Sequence, residues 1–367
     1  MTHDPGLASW LQLTLTPGLG AAALRAMLRQ FGLPQSILQR KRSDLAPYAT
    51  AEALALLDSP QVAQAVARAL EWASAPRHHV ITLADDSYPS LLLEIADPPP
   101  LLYAAGSLEL LRRPALAVVG SRNATAQGER NAESFAQALS DAGFIIVSGL
   151  ALGIDAAAHR GGLAGGGSTV AVLGTGIDVV YPRRNAQLAG QIAAQGLLLS
   201  EFALGTAPAA ANFPRRNRLI SGLARGCLVV EAALASGSLI TARSAADQGR
   251  EVFAIPGSIH SPLSKGCHAL LKTGAKLVES ADDVLAELSG FRPSGYASTT
   301  TQSGGAPHGG GLLQHMGHDP VDVDSLCTRA GMSAEQVSSE LLRLELDGRI
   351  TSLPGGLYQR LEKEPRR

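Results

Sequence analysis

Cysteine, aromatic residues and long apolar runs are all scarce in this sequence. Only three cysteines, Cys227, Cys267 and Cys327, occur among 367 residues, and none has Cys-x-x-Cys spacing, so neither a disulfide framework nor a metal site is expected. No uncharged stretch is long enough to cross a bilayer, and the N-terminus lacks a basic segment followed by an apolar run. These absences predict a cytoplasmic protein without a membrane span or an export signal.

The motifs that hold nucleotide cofactors are also missing. The chain has no lysine between Lys41 and Lys265 and no GxxxxGK[ST] sequence, which excludes a P-loop NTPase. The GxGxxG fingerprint is absent, and the glycine-rich run at 161–168 precedes a predicted strand, so it is interpreted as a turn. A GxSxG elbow of a serine hydrolase is absent too. We therefore expect neither a cofactor nor a catalytic residue of these classes.

Charge is distributed unevenly along the chain. Residues 112–276 carry 16 basic against 9 acidic residues, whereas residues 1–111 carry 7 against 10 and residues 277–367 carry 8 against 13. A positive middle between negative ends is expected of a protein whose central domain holds a polyanion. Solvated surface charge explains the asymmetry equally well, so the clustering of the arginines has to decide.

The hydrophobic pattern divides the chain into four parts. Residues 1–84 have the apolar spacing of helices. Residues 85–290 alternate strand-like runs such as ALAVVG, FIIVSG and TVAVLG with helical ones, which predicts an α/β domain with a parallel sheet covered on both faces. Residues 291–313 have the composition of a flexible linker. Residues 314–361 show helix, turn, helix and two short strands about a Pro-Gly-Gly turn, the pattern of a winged helix.

Small residues end two of the predicted strands. Gly120, Ser121 and Arg122 follow the first strand of the sheet, and Ser148 and Gly149 end the next. Ligands bind at the carboxyl ends of parallel strands, where backbone N–H groups can hold anionic oxygens and Arg122 can supply charge. A tight turn explains either glycine alone, but two such loops with an arginine favour a phosphate ligand.

The segment FPRRNR, residues 213–218, places one aromatic residue beside three arginines. In a loop leading into a helix, Arg215, Arg216 and Arg218 can follow a bent phosphodiester backbone while Phe213 stacks on a base. Arginine suits this role because its planar fork grips phosphate at two points. The alternative role of Phe213 is a core anchor. Further along, Ser236, Gly237 and Ser238 open another helix and are further candidate binding residues.

Asp155 and His159 lie four residues apart on a predicted helix that follows FIIVSG. His159 is the histidine most suggestive of a catalytic group. A pair that braces the preceding loop is the alternative, and it is the favoured one, because such pairs commonly serve structure.

Seven segments in the middle of the chain are, in order, VVGSRNAT, SGLALGIDAAAH, AVLGTGIDVVYPRRN, LLLSEF, NFPRRNRLISGL, SGSLITARSAADQGREVFAIPG and GCHALLKTGA. Together they resemble the DNA-processing protein A family, also called DprA or Smf. The resemblance implies an extended Rossmann-like domain flanked by an N-terminal helix-hairpin-helix-like domain and a C-terminal winged helix. It implies a protein that binds single-stranded DNA as a dimer, protects incoming DNA and loads the recombinase RecA during natural transformation, without catalytic activity.

The resemblance also assigns DNA-binding residues. Phe213 matches the aromatic residue that lies against a base in the family, while a basic residue often found just before it is absent here, and Arg215 is the candidate substitute. His268 stands where many members have Asn. Dimerisation is expected near residues 255–275, with Leu270 and Leu271 in the interface. The family's glycine-serine-arginine loop and Arg-Asn-Arg segment match Gly120, Ser121, Arg122, Arg216, Asn217 and Arg218.

Two other functional classes are alternatives. A nucleotide-processing enzyme of the related lysine-decarboxylase-like fold needs a PGGxGT loop followed by a glutamate that acts as a base. At the corresponding place this chain has Ala242 and Arg243, so the catalytic carboxylate is missing. A winged-helix transcription regulator needs a basic recognition surface, whereas the helix SAEQVSSELLRLELDGR at 333–349 has at least as many acidic as basic residues. The DNA-binding mediator is therefore favoured over both.

Overall fold

The computed structural model describes residues 5–291, 312–317 and 320–361, so nearly all of the predicted linker lies outside the described residues. The N-terminal part is helical, as its apolar spacing predicts. Thr50 and Ser59 cap two of the helices by accepting hydrogen bonds from Ala53 N and Val62 N. The helices are α1 (Pro5–Leu15), α2 (Ala21–Phe31), α3 (Pro34–Leu38), α4 (Arg42–Leu45), α5 (Ala51–Leu56) and α6 (Pro60–Ala73).

A nine-stranded sheet forms the centre of the molecule, in the order β1-β2-β6-β5-β4-β3-β7-β8-β9. The seven strands from β6 to β9 in this order are parallel, as predicted, whereas β1 and β2 add an antiparallel edge. The strands are β1 (His78–Thr82), β2 (Leu101–Gly106), β3 (Ala115–Val119), β4 (Ile145–Ser148), β5 (Thr169–Val172), β6 (Leu197–Ser200), β7 (Gly226–Val229), β8 (Glu251–Ala254) and β9 (Lys276–Leu277).

Helices cover both faces of this sheet. Ala117 and Val119 of β3 belong to one apolar core, and Leu116 and Val118 belong to the core on the opposite face, because successive side chains of a strand alternate. All four residues are buried, which explains why the strands appear in the sequence as continuous apolar runs. The helices are α7 (Ser90–Leu93), α8 (Ala126–Asp141), α9 (Ile154–Ala164), α10 (Ala186–Gln195), α11 (Asn212–Gly222), α12 (Ser238–Asp247), α13 (Lys265–Lys272) and α14 (Ala281–Glu287).

The N-terminal helices pack against the antiparallel edge of the sheet. Trp10 and Leu11 of α1 and Ala69 of α6 share an apolar core with Tyr103 of β2 and Leu198 of β6. Strand β1 precedes the predicted domain boundary at residue 85, although it pairs with β2 over its whole length. We propose that the boundary lies between α6 and β1, because β1 contributes hydrogen bonds to the sheet.

The C-terminal part has the winged-helix order of elements that the sequence predicts. Its sheet has the order β10-β12-β11. Leu326, Val337, Leu341 and Ile350 are buried in its core. Its elements are α15 (Leu313–Met316), β10 (Val321–Asp322), α16 (Val323–Ala330), α17 (Ala334–Leu346), β11 (Ile350–Leu353) and β12 (Leu357–Arg360). Among the helices of the described residues, none combines the length and the apolar character needed to cross a membrane.

Candidate nucleic-acid interface

A cleft of about 800 Å³ opens at the carboxyl ends of the parallel strands. It lies where the chain order reverses, because β4, β5 and β6 extend the sheet on one side of β3, whereas β7, β8 and β9 extend it on the other. Open α/β sheets bind ligands at this position. The predicted site residues that line the cleft are Gly120, Ser121, Arg122, Phe213, Arg216, Asn217, Ser236, Gly237 and Ser238.

The loop after β3 is held by backbone hydrogen bonds. Ser121 N donates to Glu231 O at 2.7 Å, and Ile154 N donates to Ser121 O at 3.1 Å. Gly153 has a φ of 70° and approaches this loop so closely that a Cβ atom there would clash with Ser121 O. These contacts fix the backbone at Ser121, directly before Arg122, whose side chain remains exposed at the cleft.

Arg122 and two aromatic rings form one continuous group. The guanidinium carbon of Arg122 lies 5.4 Å from the centroid of the Phe213 ring. The Tyr181 and Phe213 centroids are 5.6 Å apart, with their planes at 40°. Phe213 is half-buried and lies on Gly174, where an added Cβ would be only 2.8 Å from the ring. The ring therefore packs on the fold through one part and faces the cleft through another.

Arg216 is buried on the floor of the cleft, with only 3% of the residue exposed. Its Nη1 donates to Gly149 O at 2.7 Å and also to Val172 O. Burial lowers the pKa of Arg216 to about 10, so the guanidinium remains cationic at neutral pH. The sequence predicted a phosphate contact from a loop that leads into a helix. In the structure α11 begins at Asn212, so Arg216 lies inside the helix and connects the loop after β4 with the end of β5.

The loop that follows β4 has a fixed and unusual conformation. Leu150 is fully buried at a φ of 58°, which is rare for a residue with a side chain. Asp155 Oδ2 accepts from Gly149 N at 3.1 Å, while Leu150 N donates to His159 Nε2 at 3.2 Å. Asn185 Nδ2 donates to Leu150 O at 2.9 Å. Asp155 and His159 therefore each brace the loop, in agreement with the favoured interpretation.

The hydrogen bonds of His159 determine its protonation. Because Nε2 accepts a bond, Nδ1 carries the proton and donates to Thr169 Oγ1 at 2.7 Å, and Thr169 in turn donates to Ile146 O. Burial lowers the pKa of His159 to about 3. Burial raises the pKa of Asp155, and the Arg216 guanidinium opposes that rise. His159 is thus a neutral structural residue.

Arg215 and Arg218 point away from the cleft. Both donate to Glu201 Oε2, at 3.2 Å from Arg215 and 2.6 Å from Arg218, and the Glu201 side chain is only 2% exposed. Neither arginine is in the cleft lining, because residues three apart lie on one helix face and this face turns toward Glu201. That Arg215 and Arg218 follow a phosphate backbone stays a prediction. Ser148 is also buried, and its Oγ donates to Val118 O at 2.7 Å. Together with Gly149, these residues support the site from outside the cleft lining.

The N-terminus of α12 forms another wall of the cleft. Ser236 Oγ lies 2.7 Å from Ser238 Oγ, and Ser238 N donates to Ser236 Oγ at 3.3 Å. Asn217 Nδ2 reaches Gly237 O at 3.4 Å and connects this turn to α11. The first backbone N–H groups of a helix and its dipole favour an anion, so this wall complements the charge of Arg122.

Sequence reasoning missed several residues of the cleft. Tyr181 lies in the YPRRN segment that follows β5, and its position after a strand of the parallel sheet was the signal that pointed to the site. Asn123, Ile240 and Thr241 also line the cleft. Asp155 is the only acidic residue in that lining, and its carboxylate already accepts hydrogen bonds from the loop after β4. His268, whose role was open, lies 3.0 Å from Gly257 O through Nε2.

Metal-binding groups are not a feature of the described part of the chain. Within residues 5–291, 312–317 and 320–361, no group of three or more His, Cys, Asp or Glu side chains could hold a metal ion. The buried thiols of Cys227 and Cys267 are free, and burial raises the pKa of each to about 12.

Known families match both the central domain and the C-terminal part of the chain. The family model for DNA recombination-mediator protein A matches residues 79–289, and the model for the DprA winged helix domain matches residues 297–356. Protein Smf of Escherichia coli is 44% identical over 308 residues, covering 82% of each chain. The DNA processing protein DprA of Streptococcus pneumoniae is 52% identical over 206 residues, which cover 56% of this chain and 73% of that protein.

Solved structures give the same result. The X-ray structure of DprA from Streptococcus pneumoniae aligns with a TM-score of 0.67 at 40% identity, covering 78% of this chain and 99% of that one. DNA processing protein A from Helicobacter pylori, solved to study its single-stranded DNA binding mode, aligns with a TM-score of 0.54 at 30% identity, covering 59% and 98%. On its fold, its two matching domains and its relatives, the chain belongs to the DNA recombination-mediator protein A family, also called DprA or Smf.

Proposed function

We propose that this protein binds single-stranded DNA, protects it and loads the recombinase RecA onto it during natural transformation. The observation that carries the proposal is the cleft itself, which combines the exposed cation of Arg122 with the half-buried ring of Phe213 and the N-terminus of α12. Binding of single strands by the Helicobacter pylori relative and the recombination-mediator description of the family support the same function.

In this proposal some residues of the cleft bind the phosphates of the strand and another contacts a base. Arg122 neutralises a phosphate, and the N–H group of Gly237, between Ser236 and Ser238, donates to another anionic oxygen. The buried cation of Arg216 makes the cleft floor positive without leaving its two carbonyl partners. Phe213 offers an apolar surface to a base, and such stacking requires no particular base identity.

Preference for a single strand follows from the same geometry. In a duplex each base is paired and stacked on its neighbours, so a base has to leave the stack before it can lie on a protein ring. An unpaired strand already has bases free to turn toward Phe213. Duplex DNA therefore retains only the phosphate contacts and loses the stacking contribution.

The test is a binding titration of the full chain with a single strand and with a duplex of the same length at several salt concentrations. We expect tighter binding of the single strand and an affinity that falls steeply with salt, because phosphate contacts release counterions. Arg122→Ala should reduce the salt slope by about one counterion, whereas Arg29→Ala, which removes an exposed arginine on α2, should not. Equal affinity for single strand and duplex would overturn the proposal.

We further propose a homodimer formed through the last part of the sheet. Ile259 and Leu277 are 66% and 53% exposed next to the edge strand β9, where unpaired backbone groups favour association. Leu270 and Leu271 are half-buried and pack against the core, so a charge there would damage the fold as well. Ile259→Arg and Leu277→Arg are the cleaner variants.

Light scattering tests the dimer. The two variants should give monomers with an unchanged circular dichroism spectrum, whereas Leu33→Arg, at an apolar residue 54% exposed in the N-terminal part, should leave the dimer intact. A dimer that survives both changes places the interface elsewhere.

We also propose that the protein acts without catalysis of its own. The motif that binds and hydrolyses ATP is absent from the sequence, so strand exchange needs the added recombinase. Purified chain should release no phosphate from ATP, and turnover that copurifies with it would contradict this. Because the recombinase acts on DNA inside the cell, the proposed site of action is the cytoplasm.

A further inference from the structure

We propose that Tyr181 is a second base-stacking residue, so that Tyr181 and Phe213 together hold two consecutive bases of the strand. This inference rests on the proposed function and extends it, because it says how many bases one cleft accepts and which side chain takes the second. It comes from three observations on Tyr181: its exposure, its contact with Phe213 and the way its backbone is held.

The Tyr181 ring is unusually open for a large aromatic side chain. The residue is 44% exposed and lines the cleft. Its hydroxyl group has no hydrogen-bond partner among residues 5–291, 312–317 and 320–361. The Tyr181 side chain therefore makes few contacts within the protein. Both its apolar ring and its hydroxyl group are available to a ligand.

Tyr181 and Phe213 form one apolar surface. Their centroids lie 5.6 Å apart with the planes tilted by 40°, so the rings touch but do not stack on each other. A parallel stack of the two rings would hide one face of each, whereas this tilt leaves part of each ring for a separate base. Arg122 lies over Phe213, and the exposed Arg183 and Arg184 follow Tyr181 and Pro182 in the chain.

The backbone on both sides of Tyr181 is fixed. Thr175 Oγ1 donates to Val179 O at 2.6 Å just before it, and Asn185 N donates to Pro182 O at 3.0 Å just after it. Asn185 is itself anchored to Leu150 O of the loop after β4. A ring that is already held in position loses little conformational entropy when a base binds, which is what a stacking platform needs.

The experiment measures binding of an oligothymidine that carries 2-aminopurine at one of two adjacent positions, with the full chain and its variants. Stacking quenches this base, so wild-type protein should quench both positions. Tyr181→Ala should weaken binding by about 5- to 150-fold and restore fluorescence at one position, without changing the salt slope. Tyr181→Phe should retain binding, whereas Tyr181→Leu should not, because a flat ring is required.

Controls separate this inference from the proposed function. Leu33→Ala, at an exposed apolar residue far along the chain from the cleft segments, should bind as the wild type does. Each variant should keep its melting temperature, since Tyr181 is largely outside the core. Wild-type affinity in Tyr181→Ala, or a Phe213→Ala/Tyr181→Ala variant no weaker than Phe213→Ala alone, would overturn the second platform. If Phe213→Ala also binds as the wild type, the cleft does not take bases and the proposed function falls with it.

Discussion

Arg216→Ala is the substitution for which the structure makes a more demanding prediction than the sequence does. The side chain is almost completely buried, and it donates to Gly149 O and Val172 O beside the buried carboxylate of Asp155. Removing it leaves two buried carbonyl groups without this charged donor and takes away the cation that favours the ionised carboxylate of Asp155. A buried polar group left without its partner costs about 1 to 3 kcal/mol, so for two carbonyl groups we expect a loss of unfolding free energy of about 2 to 6 kcal/mol.

The same change should also weaken DNA binding, because the floor of the cleft loses its cation. The two effects can be separated by a second substitution. Arg216→Ala/Asp155→Asn also removes the buried carboxyl group that the Arg216 cation favours in its ionised form, so it should recover part of the stability. It cannot restore the cation, so binding should remain weak. Arg122→Ala is the matched comparison, because that side chain is exposed and its removal should change stability by only about 0.5 kcal/mol or less.

Urea denaturation followed by circular dichroism, with single-strand titrations on the same preparations, measures both quantities. If Arg216→Ala unfolds at the wild-type urea concentration yet loses affinity, Arg216 is an exposed phosphate contact as the sequence alone suggested, and the buried role is wrong. If the variant is unstable but binds normally once folded, the cation on the cleft floor is not needed for DNA.

Three further predictions follow from other contacts. Phe213→Ala should weaken single-strand binding by about 1 to 3 kcal/mol with the salt slope unchanged, and Phe213→Trp should bind normally in the same titration. If the melting temperature of Phe213→Ala falls together with its affinity, the ring is a core anchor. Arg218→Ala should lower the unfolding free energy in urea by about 1 to 3 kcal/mol, because the buried Glu201 then keeps only the longer ion pair with the exposed Arg215. Arg218→Ala/Glu201→Gln should recover part of this loss, and wild-type stability of the single variant would contradict the buried pair. The pKa of His159 falls from 6.5 in the unfolded chain to about 3 in the folded protein. Its contribution to the unfolding free energy is therefore complete above pH 6.5 and is lost as the pH drops toward 3, by up to about 1.4 kcal/mol per pH unit. In His159→Gln the unfolding free energy should lack this pH dependence between about pH 5 and 6.5, and an unchanged pH dependence would refute the assignment.

Much of the fold could be predicted from the sequence because it depends on local patterns. Buried parallel strands appear as short apolar runs, and helices as apolar residues three and four apart. The antiparallel edge could not be predicted in this way. Strand β1 is only partly buried along most of its length, so HHVIT has no clear period, and its pairing with β2 depends on a partner more than twenty residues away.

One part of the candidate site could likewise be predicted from the sequence, and another part could not. The loop of Gly120, Ser121 and Arg122 could be placed because residues that end parallel strands meet at one edge of the sheet. Tyr181 could not be singled out, because its contact with the Phe213 ring exists only in the folded chain.

The sequence by itself determined which residue types are available: an arginine-rich middle, small residues after the strands, and one aromatic residue beside three cations. Only the tertiary structure decided what each arginine does. Helix α11 starts at Asn212, since Pro214 is tolerated in a first helical turn, and its period of 3.6 residues turns Arg215 and Arg218 toward Glu201. The same period turns Arg216 into the floor of the cleft. Arg216 thus has a different environment from Arg215 and Arg218, because a helix points successive side chains about 100° apart and the partners that meet them come from distant parts of the chain.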